Sequence, residues 1–265
     1  MKSVPSGKPI DAESLRQRLT TQFIGNKIYA FQKIGSTNDY VKRLGRNGMN
    51  EGALVLAEHQ TKGRGRFQRQ WTSPPGKGVC LSILLRPDWS TRKMGIVSLV
   101  AAVSVAEAIE AVAGLKVGLK WPNDIQINKK KMCGILIESE IVSEELAFLV
   151  LGIGINVYQK ASEFGDLKDR ATSLSMESGR AIERLRLLVV LLEMLEKNYL
   201  RTRQEGSDFI VKEWLRRCSH LNQRIKITHD GREIVGIAKT VDEDGKLVVQ
   251  TTSNETKIIS FGEVQ

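Results

Sequence analysis

The densest chemistry in the sequence lies in Glu58-His-Gln-Thr-Lys-Gly-Arg-Gly-Arg66, followed by Arg69, Trp71 and Ser73-Pro-Pro-Gly76. Gly63 and Gly65 free the backbone to approach a ligand, while Arg64 and Arg66 offer planar guanidinium donors suited to carboxylate or phosphate. These residue types predict an anion-handling loop. A solvated basic loop would also explain the charge run, although Trp71 is a residue such a loop rarely needs. Position 68 is Gln68, so no dinucleotide fingerprint is completed, and no G-x-x-x-x-G-K-[ST] occurs.

A second cluster is Leu119-Lys-Trp-Pro-Asn-Asp124. Lys120 sets a compact positive charge at a strand end. Pro122 breaks the ladder, so Asn123 and Asp124 turn outward, where Asp124 is a candidate ligand for hydrated Mg²⁺. A plain β-turn accounts for the same four residues. Leu151-Gly-Ile-Gly-Ile-Asn156 is a strand whose alternating glycines suggest close approach by a ligand or another backbone. Ser36-Thr-Asn38 suits both a helix cap and hydroxyl and amide groups facing a ligand.

Only three histidines are present. With no G-x-S-x-G elbow and no H-E-x-x-H, hydrolytic triads and histidine metal sites are poorly supported. A basic, histidine-poor site suits a reaction whose substrate brings its own nucleophile. A carboxylate attacking the α-phosphate of ATP is such a reaction, because fixed positive charge is then the protein's main service.

These residues need elements to position them. β-Branched and aliphatic runs predict strands at Ile28–Ile34, Ala53–Glu58, Val79–Arg86, Val117–Trp121, Ile125–Asn128, Gly134–Glu138 and Phe148–Ile155. Helical periodicity predicts helices at Ala12–Thr21, Thr37–Leu44, Met94–Ala113, Ala181–Arg203 and Phe209–Arg217. Several strands follow one another without a helix between them, which predicts an α+β fold with a mixed or antiparallel sheet rather than a parallel one. After Ser219 come short strands punctuated by Asp230-Gly231 and Asp244-Gly245, the signature of hairpins in a small β-barrel. The expected division is a leader at 1–27, a catalytic domain at 28–218 and a C-terminal barrel at 219–265.

The 265 residues are 41% hydrophobic with a formal charge of +10, which fits a folded enzyme that attracts phosphates or carboxylates. Cys80, Cys133 and Cys218 make no disulfide or zinc pattern, and a reducing cytoplasm fits best. The N-terminus carries no apolar signal region. Leu187–Leu192, the longest apolar run of the later half, falls far short of the ~20 residues of a membrane span, so no membrane is expected.

Taken together, S-T-N at 36–38, Q-x-x-G-R-G-R at 60–66, W-x-S-P at 71–74, K-W-P-N-D at 120–124, K-x-x-G-I-L-x-E at 131–138 and G-x-G-x-N at 152–156 resemble biotin protein ligase. Ala171-Thr-Ser-Leu174 and Gly262-Glu-Val264 fit as well. The resemblance implies a catalytic domain of the biotin/lipoate ligase type, related to class II synthetases, with an SH3-like C-terminal domain. It implies that biotin and MgATP give biotinyl-5′-AMP and pyrophosphate, after which the lysine of a carboxylase's biotin carboxyl carrier domain takes the acyl group. Position by position, it implies biotin contacts at Ser36, Thr37, Asn38, Gln60, Arg64, Gly65, Arg66 and Lys120. Lys120, Arg64 and Arg66 would be catalytic. Trp71, Asn123, Asp124, Lys131 and Asn156 would serve the nucleotide, with Asp124 on the metal.

Relatives often carry glycine where this chain has Gln68, which bears on the mobility of the loop. Many also carry an N-terminal DNA-binding domain; the segment before Ile28 is too short for a helix-turn-helix, so a monofunctional ligase without DNA binding is expected. A homodimer is compatible with the resemblance. The rival readings are a lipoate or octanoate ligase or transferase, and a basic nucleic-acid-binding protein. Phe261 is the sole aromatic of the predicted barrel, which disfavours the latter.

Overall fold

The computed structural model describes residues 7–89, 93–229 and 232–264. Its helices are α1 (Ala12–Arg16), α2 (Thr37–Arg46), α3 (Met94–Ala113), α4 (Leu174–Ser178), α5 (Arg184–Glu205) and α6 (Asp208–Arg217). The first sheet takes β1 (Ile28–Ile34), β2 (Leu54–Gln60), β3 (Gly78–Leu85), β4 (Gly118–Lys120), β5 (Asp124–Ile127), β6 (Lys130–Val142) and β7 (Glu145–Asn156). Their order is β1-β2-β3-β7-β6-β5-β4. β1 and β2 run parallel with α2 between them in sequence, and the other neighbours are antiparallel. The sheet is therefore mixed.

Successive side chains of a strand point to opposite faces. On β2, β3 and β7 one set, including Leu54, Leu56, Leu81, Ile83, Leu151, Ile153 and Ile155, joins the main core with α3, α5 and α6. The opposite set, Val55, Leu84, Phe148 and Val150, packs with Val41 of α2. Along β7 that second set continues as Gly152 and Gly154, so bulky residues give way to glycine and the face opens into a cavity beside the α2 N-terminus.

By length and composition α3 could cross a membrane. Thirteen of its twenty residues are buried among the sheet, α5 and α6, and a helix apolar on all sides is what a core helix requires.

Residues 7–27, expected as a leader, pack onto the catalytic body. Leu15 and Ile24 are buried in the main core. Glu196 of α5 accepts the N–H groups of Phe23 and Ile24, each at 2.8 Å. This anchoring turns the chain, and α1 stops at Arg16 instead of running to Thr21. Likewise α5 begins at Arg184 rather than Ala181.

The second sheet takes β8 (Arg224–His229), β9 (Arg232–Val241), β10 (Leu247–Thr251), β11 (Thr256–Ile259) and β12 (Glu263–Val264) in the order β11-β10-β9-β8-β12, all antiparallel. The Asp244-Gly245 turn has φ +80° at Gly245, which glycine adopts without cost. Asp242 Oδ1 accepts the N–H groups of Asp244 and Lys246 across it. Asp230-Gly231 lies outside the described residues. Ile225, Ile227, Ala238 and Val249 join the main core, and Trp121 Nε1 donates to Gly245 O at 3.1 Å, so the two sheets share one interior.

Candidate active site

The cavity has a volume of about 370 Å³. Its floor is the β6–β7 pair, where Gly134 lies opposite Gly154 and Leu136 opposite Gly152. The alternating glycines serve side chains of this same chain. A methyl at Gly152 would collide with Asn38 Oδ1, and one at Gly154 would come within 2.6 Å of Trp71 Nε1. Asn38 and Trp71 are thus seated on bare backbone.

One side is built by the α2 N-terminus. Ser36 caps the helix by accepting from Asp39 N. Thr37 donates its N–H to Gln60 Oε1 at 2.8 Å, and its hydroxyl oxygen lies 3.0 Å from the same atom. Behind them the buried Ser82 hydroxyl lies 2.7 Å from Thr37 Oγ1 and 2.6 Å from Asn38 Oδ1. Asn38 Nδ2 donates to Glu138 Oε2 at 2.6 Å.

The glycine-rich loop folds back on itself, with Trp71 N donating to Gly63 O at 3.0 Å and Gly65 N to Arg69 O at 2.7 Å. At its tip Phe67 and Gln68 take left-handed φ of 54° and 58°, a conformation glycine adopts more cheaply than glutamine. Arg64 is clasped by Asp39 at 2.6 and 3.0 Å and by Glu138 at 3.1 Å. Hydrogen bonding to Asp39 leads the effects that raise its pKa. Arg66 donates to Gly262 O at 2.9 Å, and burial lowers its pKa. Arg69 makes a bidentate pair with Glu263, both bonds at 2.6 Å, which lowers the Glu263 pKa. The loop is therefore tied to α2 and β6 on one side and to the second sheet on the other.

On the nucleotide-like side, Lys131 lies 5.9 Å from the centre of the Trp71 ring and 2.6 Å from Asp124 Oδ1. Asp124 Oδ1 is buried, and the Lys131 ammonium is the partner that faces it. Asn123 Nδ2 donates to Ile135 O at 2.6 Å and Ile135 N to Asn123 O at 3.0 Å, so Asn123 also locks the turn after the cis Trp121–Pro122 bond. Lys120 lines the cavity and has no ion-pair partner among the described residues.

The lining carries seven cations, Arg64, Arg66, Arg69, Lys120, Lys129, Lys131 and Arg170, against two carboxylates, Asp124 and Glu263. Such an excess selects anionic ligands. Burial pushes the Cys80 and Cys133 thiols up, so neither is a nucleophile near neutrality.

Ser36, Thr37, Asn38, Gln60, Arg64, Gly65, Arg66, Trp71, Lys120, Asn123, Asp124 and Lys131 all reach this cavity. Asn156 does not. Its side chain is buried, donating to Thr172 O and accepting from Gln159, each at 3.1 Å, where it fixes the segment after β7 instead of facing a ligand. Sequence reasoning missed Ser82, whose signal is a lone hydroxyl in the apolar run of β3. It also missed a role for Glu138 and the cations Lys129 and Arg170.

Residues 30–156 match the Biotin/lipoate A/B protein ligase family, and residues 220–265 match the Biotin protein ligase C terminal domain. Among curated proteins, the Bifunctional ligase/repressor BirA of Bacillus subtilis (strain 168) is 36% identical over 255 residues, covering 96% of this chain and 78% of that protein. The Biotin--[acetyl-CoA-carboxylase] ligase of Mycobacterium tuberculosis is 32% identical over 263 residues, covering 97% of this chain and 95% of that one. Among solved structures, biotin protein ligase from Aquifex aeolicus in complex with biotin and ATP superimposes with a TM-score of 0.78 at 29% identity, covering 91% of this chain and 98% of that one. The chain belongs to the biotin protein ligase family. The C-terminal match sets it apart from the lipoate and octanoate alternatives.

Proposed function

We propose that this protein is an ATP-dependent biotin ligase that modifies a lysine on the biotin carboxyl carrier domain of a carboxylase, acting in the cytoplasm through biotinyl-5′-AMP. The observation that carries the reading is Lys120, an ion-pair-free ammonium in the same cavity as the Ser36–Thr37–Asn38 hydrogen-bonding wall and the Trp71–Lys131 wall.

In the first half-reaction a biotin carboxylate oxygen attacks the α-phosphorus, the bond to the bridging oxygen breaks and pyrophosphate leaves. Lys120 meets the carboxylate and the α-phosphate, so the two anions approach and the charge that develops between them is neutralised. Arg66 and Lys131 add donors for the phosphates, Trp71 offers a stacking face for the base, and the hydroxyl and amide wall takes the polar ring of the acid. In the second half-reaction the carrier lysine, as free amine, attacks the acyl carbon. AMP departs with the bonding electrons and the amine loses a proton.

Mg²⁺ usually binds through one or two carboxylates together with substrate phosphates. Asp124, a cavity-lining carboxylate whose Oδ1 pairs with Lys131, fits that role, and no cluster of three acidic, histidine or cysteine ligands occurs among the described residues. Asp124 would hold the ion, which neutralises phosphate charge when bound.

The test is pyrophosphate release from MgATP by purified protein with biotin, lipoate or octanoate and no carrier. Biotin-dependent release is expected. Release with lipoate alone would replace the acid in this reading, and silence with every acid would remove the ligase reading.

A further inference from the structure

Glu138 sits outside the cavity, yet touches two residues that line it, Asn38 and Arg64. On β6 it shares a face with Gly134 and Leu136, the floor residues. Its carboxylate accepts from Asn38 Nδ2 at 2.6 Å, Lys42 Nζ at 2.8 Å and Arg64 Nη2 at 3.1 Å. Burial raises its pKa, but Lys42, Asn38 and Arg64 together outweigh burial and the net shift is downward, so the group is an acceptor only at neutral pH.

An asparagine amide can be turned either way, and its neighbours decide which end faces where. A carboxylate admits only the NH₂ end. With Asn38 Nδ2 held by Glu138, Oδ1 must face Ser82 Oγ at 2.6 Å. An amide oxygen cannot donate, so the single Ser82 proton goes to Asn38. Ser82 is then left with lone pairs for Thr37 Oγ1, 2.7 Å away. The hydroxyl order therefore runs from Thr37 through Ser82 and Asn38 to Glu138. With a neutral group at 138 the amide is free to turn over, and the order reverses towards Gln60 Oε1, which Thr37 N already fixes as an acceptor.

We propose that Glu138 is a specificity-determining positioning residue. By fixing the proton order of the Asn38–Ser82–Thr37 chain, it leaves acceptor lone pairs on the cavity wall and so selects an acid whose ring carries N–H donors over a purely alkyl acid. The inference rests on the ligase reading and deepens it. A site built to pair a ligand's N–H groups discriminates strongly, because a ligand lacking them leaves buried polar atoms unpaired. Glu138 also grips Arg64, so the carboxylate that orders the wall holds the loop above it.

The test uses the full chain, with biotin and ATP titrated separately by calorimetry and thermal unfolding recorded for each variant. Glu138→Gln should weaken biotin binding about tenfold or more, with ATP affinity changed by less than about twofold. In turnover, KM for biotin rises while KM for ATP holds. Ser82→Ala, which breaks the relay without touching a charge, should show the same selective loss and serves if Glu138→Gln fails to fold. Unchanged biotin affinity in Ser82→Ala overturns the proposal. So does a Glu138→Gln variant that loses both ligands together with its melting temperature, because that marks a structural role. A wild-type protein that binds ATP but no biotin sinks the ligase reading itself, and the proposal with it.

Discussion

The indole of Trp71 lies against the bare α-carbon of Gly154, so closely that a methyl there would come within 2.6 Å of Nε1. The Trp71 backbone is fixed by its main-chain N–H donating to Gly63 O, so the ring cannot yield by a shift of the chain that carries it. Gly154→Ala should therefore displace the ring, at about 1–3 kcal/mol for overpacking. The expected signature is a lowered melting temperature and a KM for ATP raised more than that for biotin. An ATP titration of pyrophosphate release checks this, and equal effects on both substrates would detach Trp71 from the nucleotide.

Lys120 should be the most sensitive cavity position, because no carboxylate among the described residues comes close enough to form an ion pair with its ammonium. Lys120→Ala is expected to slow adenylate formation by about 10²–10³, as loss of a donor to developing charge does elsewhere. Circular dichroism should stay unchanged, since the Lys120 ammonium makes no ion pair among the described residues that holds two elements together. Lys120→Arg should recover little, because a planar fork does not replace a compact ammonium. Single-turnover pyrophosphate release is the measurement, and near-native rates in Lys120→Ala would remove this residue from the chemistry.

Much of this arrangement was legible because it is local. The apolar, β-branched runs mark the strands, and β7 carries in its own alternation both the bulky face and the glycines that open the cavity. The clusters at 36–38, 60–71 and 120–131 each end a strand or begin a helix, which is why they converge. What stayed hidden depends on partners far away in sequence. Asn156 ends the same strand as Gly154 but faces Thr172, and a two-residue period does not reveal which interior it enters after the strand stops. Glu263 meets Arg69 only because the second sheet docks on the loop. The packing of segment 7–27, expected only as a leader, was hidden because its anchors, Glu58, Arg184 and Glu196, lie on other elements.

Those anchors make a prediction about stability. Arg184 and Glu58 form a buried pair at 2.9 Å, with side chains 3% and 7% exposed. Arg184 also donates to Lys8 O and Gly78 O, and Glu58 accepts from Ile10 N and Gly76 N. Removing one partner strands a buried charge, which costs about 3–5 kcal/mol. Arg184→Met alone should thus unfold at markedly lower urea, while Arg184→Met combined with Glu58→Gln should recover part of the loss. A double variant no better than the single one would show that the backbone contacts of Arg184 outweigh the charge pairing.

His220 links the two sheets and should report on acid sensitivity. It is 5% exposed, packs edge-on to Trp214 at 6.1 Å, and its pKa is lowered from 6.5 to about 4, first by burial and then by the charge of Lys120. Between these values the unfolded chain binds the proton and the folded chain does not, so stability rises with pH across that window. Acidifying from 6.5 towards 4 should remove about 3 kcal/mol from this group alone, with no further loss from it below. Glu138 and Glu263 have depressed pKa values, so their stabilising contributions are lost as pH falls from the usual carboxylate range down through their folded values. The interval from about 5 to 6.5 is therefore left to His220. Urea midpoints in that interval should slope upward with pH in the native protein and flatten in His220→Gln. A variant with the same slope would assign the acid sensitivity to another group and return His220 to an ordinary, solvated imidazole.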